Sequence, residues 1–66
     1  MNITLNHAPH EVSPGLTVLG LLETLNLHEK RIALLRNGAL LPRSEYPNEP
    51  VQEGDVFDVI HAIGGG

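Results

Sequence analysis

Apolar and polar positions change period several times along this chain, and each change marks an element. Asn2-Ile3-Thr4-Leu5-Asn6 alternates polar and apolar residues, which predicts a half-buried strand with Ile3 and Leu5 facing inward. Asn6-His7-Ala8 suits a turn, because Asn tolerates left-handed backbone geometry. The return through Pro9-His10-Glu11-Val12 contains a proline with no N–H to donate. Such a strand belongs at a sheet edge. Ser13-Pro14-Gly15 closes this first hairpin.

The period then becomes helical. Val18, Leu21, Leu22 and Leu25 form one apolar stripe, and Thr17 stands where an N-cap hydroxyl would accept from a backbone N–H. With Asn26 as its last residue, the helix is expected over about 17–26. Gly20 is a poor helix former, costing about 0.8–1.0 kcal/mol relative to Ala, and is expected where the helix packs closely on a sheet. The stripe is read as core, because so short a chain needs it.

Leu27 to Lys30 reads as a loop. Ile32-Ala33-Leu34-Leu35 follows as a strand apolar on both faces, hence central. Asn37-Gly38 is a strong hairpin signal, both residues suiting the positive φ of a type I′ turn. Ala39-Leu40-Leu41 is the brief return, stopped by Pro42. Arg43 to Pro50 has two prolines and little periodicity, and Tyr46 is expected to anchor this crossing loop on the core. After a turn over Val51-Gln52-Glu53-Gly54-Asp55, the last strand runs from Val56 to Ile63. Phe57, Val59 and Ile63 share one face, while Val56, Asp58, Ile60 and Ala62 share the other.

A helix between two hairpins, covering one sheet face, is an α+β layer arrangement. The long apolar last strand belongs mid-sheet beside the first in parallel, with the helix supplying the crossover that parallel pairing requires. The expected fold is therefore a ubiquitin-like β-grasp: a mixed sheet of four to five strands on one main helix. Residues 1–63 make this domain, and 64–66 make a flexible glycine tail.

Composition removes several function classes. Without cysteine there is no disulfide framework, thiolate zinc site or thiol nucleophile. The net charge of −4 argues against nucleic acid and favours a basic partner. No apolar run reaches membrane-spanning length, and a cytoplasmic protein is expected. His7, His10, His28 and His61 lack the ligand spacing of a metal site, so no metal is expected. Ser13 and Ser44 lack a base beside them. The chain is not expected to be an enzyme in its own right.

Gly64-Gly65-Gly66 contributes nothing to a core and loses much freedom when ordered. It offers a thin thread whose three residues reach roughly 10 Å, about the depth of an enzyme cleft. A frayed terminus is the plain alternative. Ile60 and Ala62, on the face away from the helix and close to this thread, make a candidate partner-binding patch. Completion of the sheet packing explains them equally well. Glu53, Asp55 and Asp58 are carboxylates that solvation accounts for, or that meet a basic rim on a partner.

The whole chain resembles the ThiS family, the ubiquitin-like sulfur carriers of thiazole formation in thiamine biosynthesis. The likeness lies in overall length, Asn6 after the first strand, Gly15 with Thr17 and Leu21-Leu22, and Asn37-Gly38. It continues through Pro42-Arg43-Ser44-Glu45-Tyr46, the Val51 to Asp55 turn, and His61 to Gly66. The Pro42 to Tyr46 element and the terminal glycines are its most discriminating parts. The resemblance implies that an E1-like, ThiF-type adenylyltransferase uses ATP to adenylate the terminal glycine. A persulfide sulfur donor then converts the acyl group to a thiocarboxylate, and a ThiG-type thiazole synthase consumes the sulfur. By position the modified group is the carboxyl of Gly66, with Gly64 and Gly65 entering partner active sites. The chain would bind no cofactor itself, since ATP and the sulfur donor are used by its partners. A molybdopterin-type sulfur carrier, or a ubiquitin-like modifier or binding module, is the alternative.

Overall fold

The structure, a computed structural model, describes residues 1–61. Five strands form one sheet: β1 (Asn2–Leu5), β2 (Ala8–Glu11), β3 (Ile32–Arg36), β4 (Ala39–Leu41) and β5 (Val56–His61). One α-helix, α1 (Val18–Thr24), and one 3-10 helix (Arg43–Asn48) complete it. The strand order is β2-β1-β5-β3-β4. β1 and β5 are parallel, and every other pairing is antiparallel.

Both hairpins turn where the sequence supplies residues tolerant of positive φ. Asn6 (φ 49°) and His7 (φ 69°) link β1 to β2, and Asn37 (φ 52°) and Gly38 (φ 85°) link β3 to β4. Two consecutive positive-φ residues give the type I′ twist that matches paired strands. β2 lies at the sheet edge, as Pro9 requires.

Alternation along the strands delivers the core. Ile3, Leu5, Leu34, Phe57 and Val59 point to the helix face, where they meet Val18, Leu21 and Leu22, with Tyr46 and Val51 closing the side. Tyr46 is 4% exposed, so it does anchor the crossing segment.

Four local expectations change. The helix ends sooner than 17–26: Thr17 caps it outside, its Oγ1 accepting from the Gly20 N–H at 3.1 Å. At the other end Leu25 leaves helical geometry and Asn26 turns to φ 59°. Gly20 is not pressed on the sheet, since a Cβ there would meet Leu16 Cδ1 at 2.8 Å. β3 is interior but not central, because β5 takes the middle place between β1 and β3. The segment after Pro42 is a 3-10 helix rather than an irregular loop. Its tighter winding carries no 3.6-residue stripe, so it left no periodic trace.

Asp55 is the larger correction. It is buried, at 5% exposed, where solvation was expected. Its Oδ2 accepts from Arg36 Nη2 at 2.8 Å and from the Gln52 N–H at 2.9 Å, and its Oδ1 from Asn37 Nδ2 at 3.3 Å. Arg36 also donates to Glu49 Oε1 at 3.0 Å and to the Pro50 carbonyl at 2.8 Å. This cluster ties the turn before β5 to the β3–β4 hairpin, so the carboxylate holds the fold together instead of facing a partner.

Candidate functional site

β5 occupies the middle of the sheet and is the last described element before the glycines in sequence, and its two faces differ. Phe57 and Val59 face the helix and are buried. Asp58 and Ile60 face away from it. The first half of β5 is gripped from both sides. The Thr4 and Asn6 N–H groups donate to the Asp55 and Phe57 carbonyls, each at 2.9 Å. Where β1 ends, Asn6 Oδ1 accepts from the Val59 N–H at 2.8 Å and extends the ladder by one step. Asn37 holds the start of the strand, its Oδ1 accepting from the Val56 N–H at 2.9 Å. These bonds fix the strand from Val56 to Val59.

Ile60 is 53% exposed, a large apolar side chain on the open sheet face. Directly opposite it in the β3–β5 pairing stands Ala33, and one step along Asp58 stands opposite Leu35. Leu35 in turn pairs with Leu40, which is 66% exposed. The outer face is thus an apolar band across β5, β3 and β4, interrupted by Asp58. The structure places Ile60 as the sequence reading has it. Ala62, Gly64, Gly65 and Gly66 lie outside the described residues.

At the His61 end of this band lies an open recess of about 370 Å³, lined by Arg31, Ile32, Ala33, Arg43, Ile60 and His61. Arg43 is held across it by two main-chain acceptors, the His28 carbonyl at 3.3 Å and the Lys30 carbonyl at 2.8 Å. Sequence reasoning did not find this grouping. Arg31 and Arg43 are twelve positions apart: the register that pairs Ile32 with His61 sets Arg31 near the end of the last strand, and the bonds to the His28 and Lys30 carbonyls bring Arg43 to the same recess.

The remaining candidates stay apart. His7 Nε2 is 4.0 Å from Asp58 Oδ1, with the imidazole 93% exposed. Among the described residues, no group of three or more His, Cys, Asp or Glu could hold a metal ion. No helix of the described chain is long and apolar enough to cross a membrane.

Comparison with known proteins agrees with this geometry. Residues 3–66 match the ThiS family. The chain belongs to that family. Over its whole length this ThiS-family chain is 33% identical to the sulfur carrier protein ThiS of Escherichia coli, covering all of that protein. It is 41% identical to a thiazole synthase of Magnetococcus marinus and 32% identical to one of Paramagnetospirillum magneticum. It spans only 20% of the length of each of these two. The crystal structure of the thiamine biosynthesis protein ThiS from Geobacter metallireducens superposes with a TM-score of 0.86 at 30% identity, each chain covered completely. The sheet order, parallel β1–β5 pair and single helix are therefore the ubiquitin-like β-grasp of this family.

Proposed function

We propose that this ThiS-family chain carries sulfur for thiazole formation in thiamine biosynthesis, with the carboxyl of Gly66 as the group that is loaded. The observation that carries the reading is the end-to-end likeness to the Escherichia coli sulfur carrier, on a fold whose last strand leads into Gly64-Gly65-Gly66.

A carboxylate is a poor electrophile because its negative charge resists attack. Its oxygen displaces pyrophosphate from ATP on an E1-like adenylyltransferase, giving a mixed anhydride with AMP. The terminal sulfur of a persulfide then attacks the carbonyl carbon, and AMP leaves with the bonding electron pair. A partner thiol cleaves the resulting S–S bond, leaving the thiocarboxylate on Gly66 and a disulfide on the partners. The catalytic groups belong to those partners. The chain supplies a thread without Cβ atoms, narrow enough to pass into a cleft, and a folded body that presents it. The likeness to one fifth of two thiazole synthases supports a synthase as the protein that takes the sulfur.

Incubation with ATP, a ThiF-type adenylyltransferase and a persulfide donor should exchange one oxygen for sulfur, seen by intact-mass spectrometry and located on the C-terminal peptide. Deleting Gly66 should abolish the exchange and leave the circular dichroism spectrum unchanged. An unmodified mass under conditions that load a known carrier refutes the reading.

A further inference from the structure

The turn between β3 and β4 holds a reactive pair under restraint. Asn37 and Gly38 are both exposed, at φ 52° and 85°. A main-chain N–H beside a side-chain amide is already in position to attack it, and a glycine has no Cβ to shield that nitrogen. The space around Gly38 is open, since a Cβ there would meet nothing within 4 Å. The Asn37 side chain, however, is bound elsewhere. Its Oδ1 accepts from the Val56 N–H at 2.9 Å, and its Nδ2 donates to Asp55 Oδ1 at 3.3 Å. Asp55 is itself fixed by Arg36 and the Gln52 N–H. The Asn37 main chain is held as well, its N–H donating to the Val56 carbonyl at 2.7 Å.

We propose that Asn37-Gly38 is a latent deamidation site that the Asp55 cluster keeps closed, so that opening of this corner marks the chain irreversibly. The Gly38 amide nitrogen attacks Asn37 Cγ and gives up its proton, and the side-chain nitrogen leaves as ammonia. Water then opens the five-membered succinimide at either carbonyl, leaving aspartate or isoaspartate at position 37. Water is the only co-reactant, and nothing is oxidised or reduced. Neither step involves a partner protein or Gly66, so the site is independent of the sulfur-carrier reading. To bring Cγ onto the Gly38 nitrogen, the bonds to Val56 and Asp55 must first be released. The product does not restore them. A carboxylate at position 37 still accepts from the Val56 N–H, but it offers no N–H to Asp55 and sets two negative groups against each other. Isoaspartate also adds a main-chain carbon to a turn whose register depends on successive positive φ values.

The test follows the Asn37–Arg43 tryptic peptide of the full chain by mass spectrometry, as NH2 becomes OH, with chromatography to separate the aspartate and isoaspartate forms. Folded wild type at neutral pH should convert at least about a hundredfold more slowly than wild type unfolded in urea, because unfolded fractions of about 10⁻³ or less are usual. Asp55→Asn is the informative variant. Its oxygen takes the place of Oδ2, which serves Arg36 and Gln52, and its NH2 then faces the Asn37 NH2. Either orientation of the Asn37 amide leaves one of its two side-chain contacts unmade. The variant should convert at least about fivefold faster than its own unfolded fraction, read by circular dichroism, accounts for. Asn37→Asp should have a lower urea midpoint than wild type. A folded wild type that converts within about tenfold of the urea rate overturns the proposal, and this comparison stands even where a variant does not fold. So does an Asp55→Asn chain that converts no faster than its unfolding explains, since the cluster would then not be what restrains Asn37. An Asn37→Asp chain as stable as wild type also overturns it, because the product would leave the corner intact.

Discussion

Replacing Asp55 with alanine removes the acceptor of three hydrogen bonds, from Gln52 N, Arg36 Nη2 and Asn37 Nδ2. Breaking a fully buried ion pair costs about 3–5 kcal/mol. Here Arg36 keeps Glu49 at 3.0 Å and the Pro50 carbonyl at 2.8 Å, which lowers the cost. The orphaned Gln52 amide restores about 1 kcal/mol of it. The expected loss is about 2–4 kcal/mol. A domain of this size has roughly 3–10 kcal/mol in total, so the variant should be marginal. At ~4–8 °C per kcal/mol its Tm should fall by at least about 10 °C. Urea unfolding followed by circular dichroism at several pH values is the assay, because pH supplies an independent check. Burial pushes the Asp55 carboxyl up, but the Gln52 amide, the Arg36 and Asn37 hydrogen bonds and the Arg36 charge outweigh it. The net effect is to hold it below its ordinary 3.8. A carboxyl lowered by folding contributes stability that is present above its unfolded value and lost as pH falls through the folded one. Wild type should therefore lose stability below about pH 4, and Asp55→Asn should show a shallower loss in that window. A change under about 0.5 kcal/mol on Asp55→Ala, the value of a solvated surface pair, refutes the structural role given to this residue.

Ile60→Asp should leave stability within about 1 kcal/mol of wild type, since the side chain is half exposed and faces away from the core. It should raise the carrier KM in adenylation, and unfolding in place of that kinetic effect would make Ile60 core. Thr17→Ala should cost about 1 kcal/mol by removing the cap on the Gly20 N–H, read from the same urea curves. A neutral result there would mean that main-chain bonds such as Val18 N–H to the Glu49 carbonyl at 2.8 Å suffice to hold the helix start.

Local patterning determined most of the architecture. Alternation at Ile3 and Leu5, the stripe at Val18, Leu21 and Leu22, and the turn residues Asn6, Asn37 and Gly38 act over a few residues. Their outcome depends on backbone sterics and on which side chains avoid water, and both are written in neighbouring positions.

What only the tertiary structure decided involves partners far apart in sequence. Asp55 reads as one more solvated acid until folding sets Arg36 and Asn37 against it. The recess gathers Arg31 and His61 through the β3–β5 register and Arg43 through its bonds to the His28 and Lys30 carbonyls, and no periodicity records a register between strands twenty residues apart. Charge shows the difference most plainly. A sum over the chain says only that acids outnumber bases, and the fold alone sets two of those acids, Asp55 and Glu49, on Arg36.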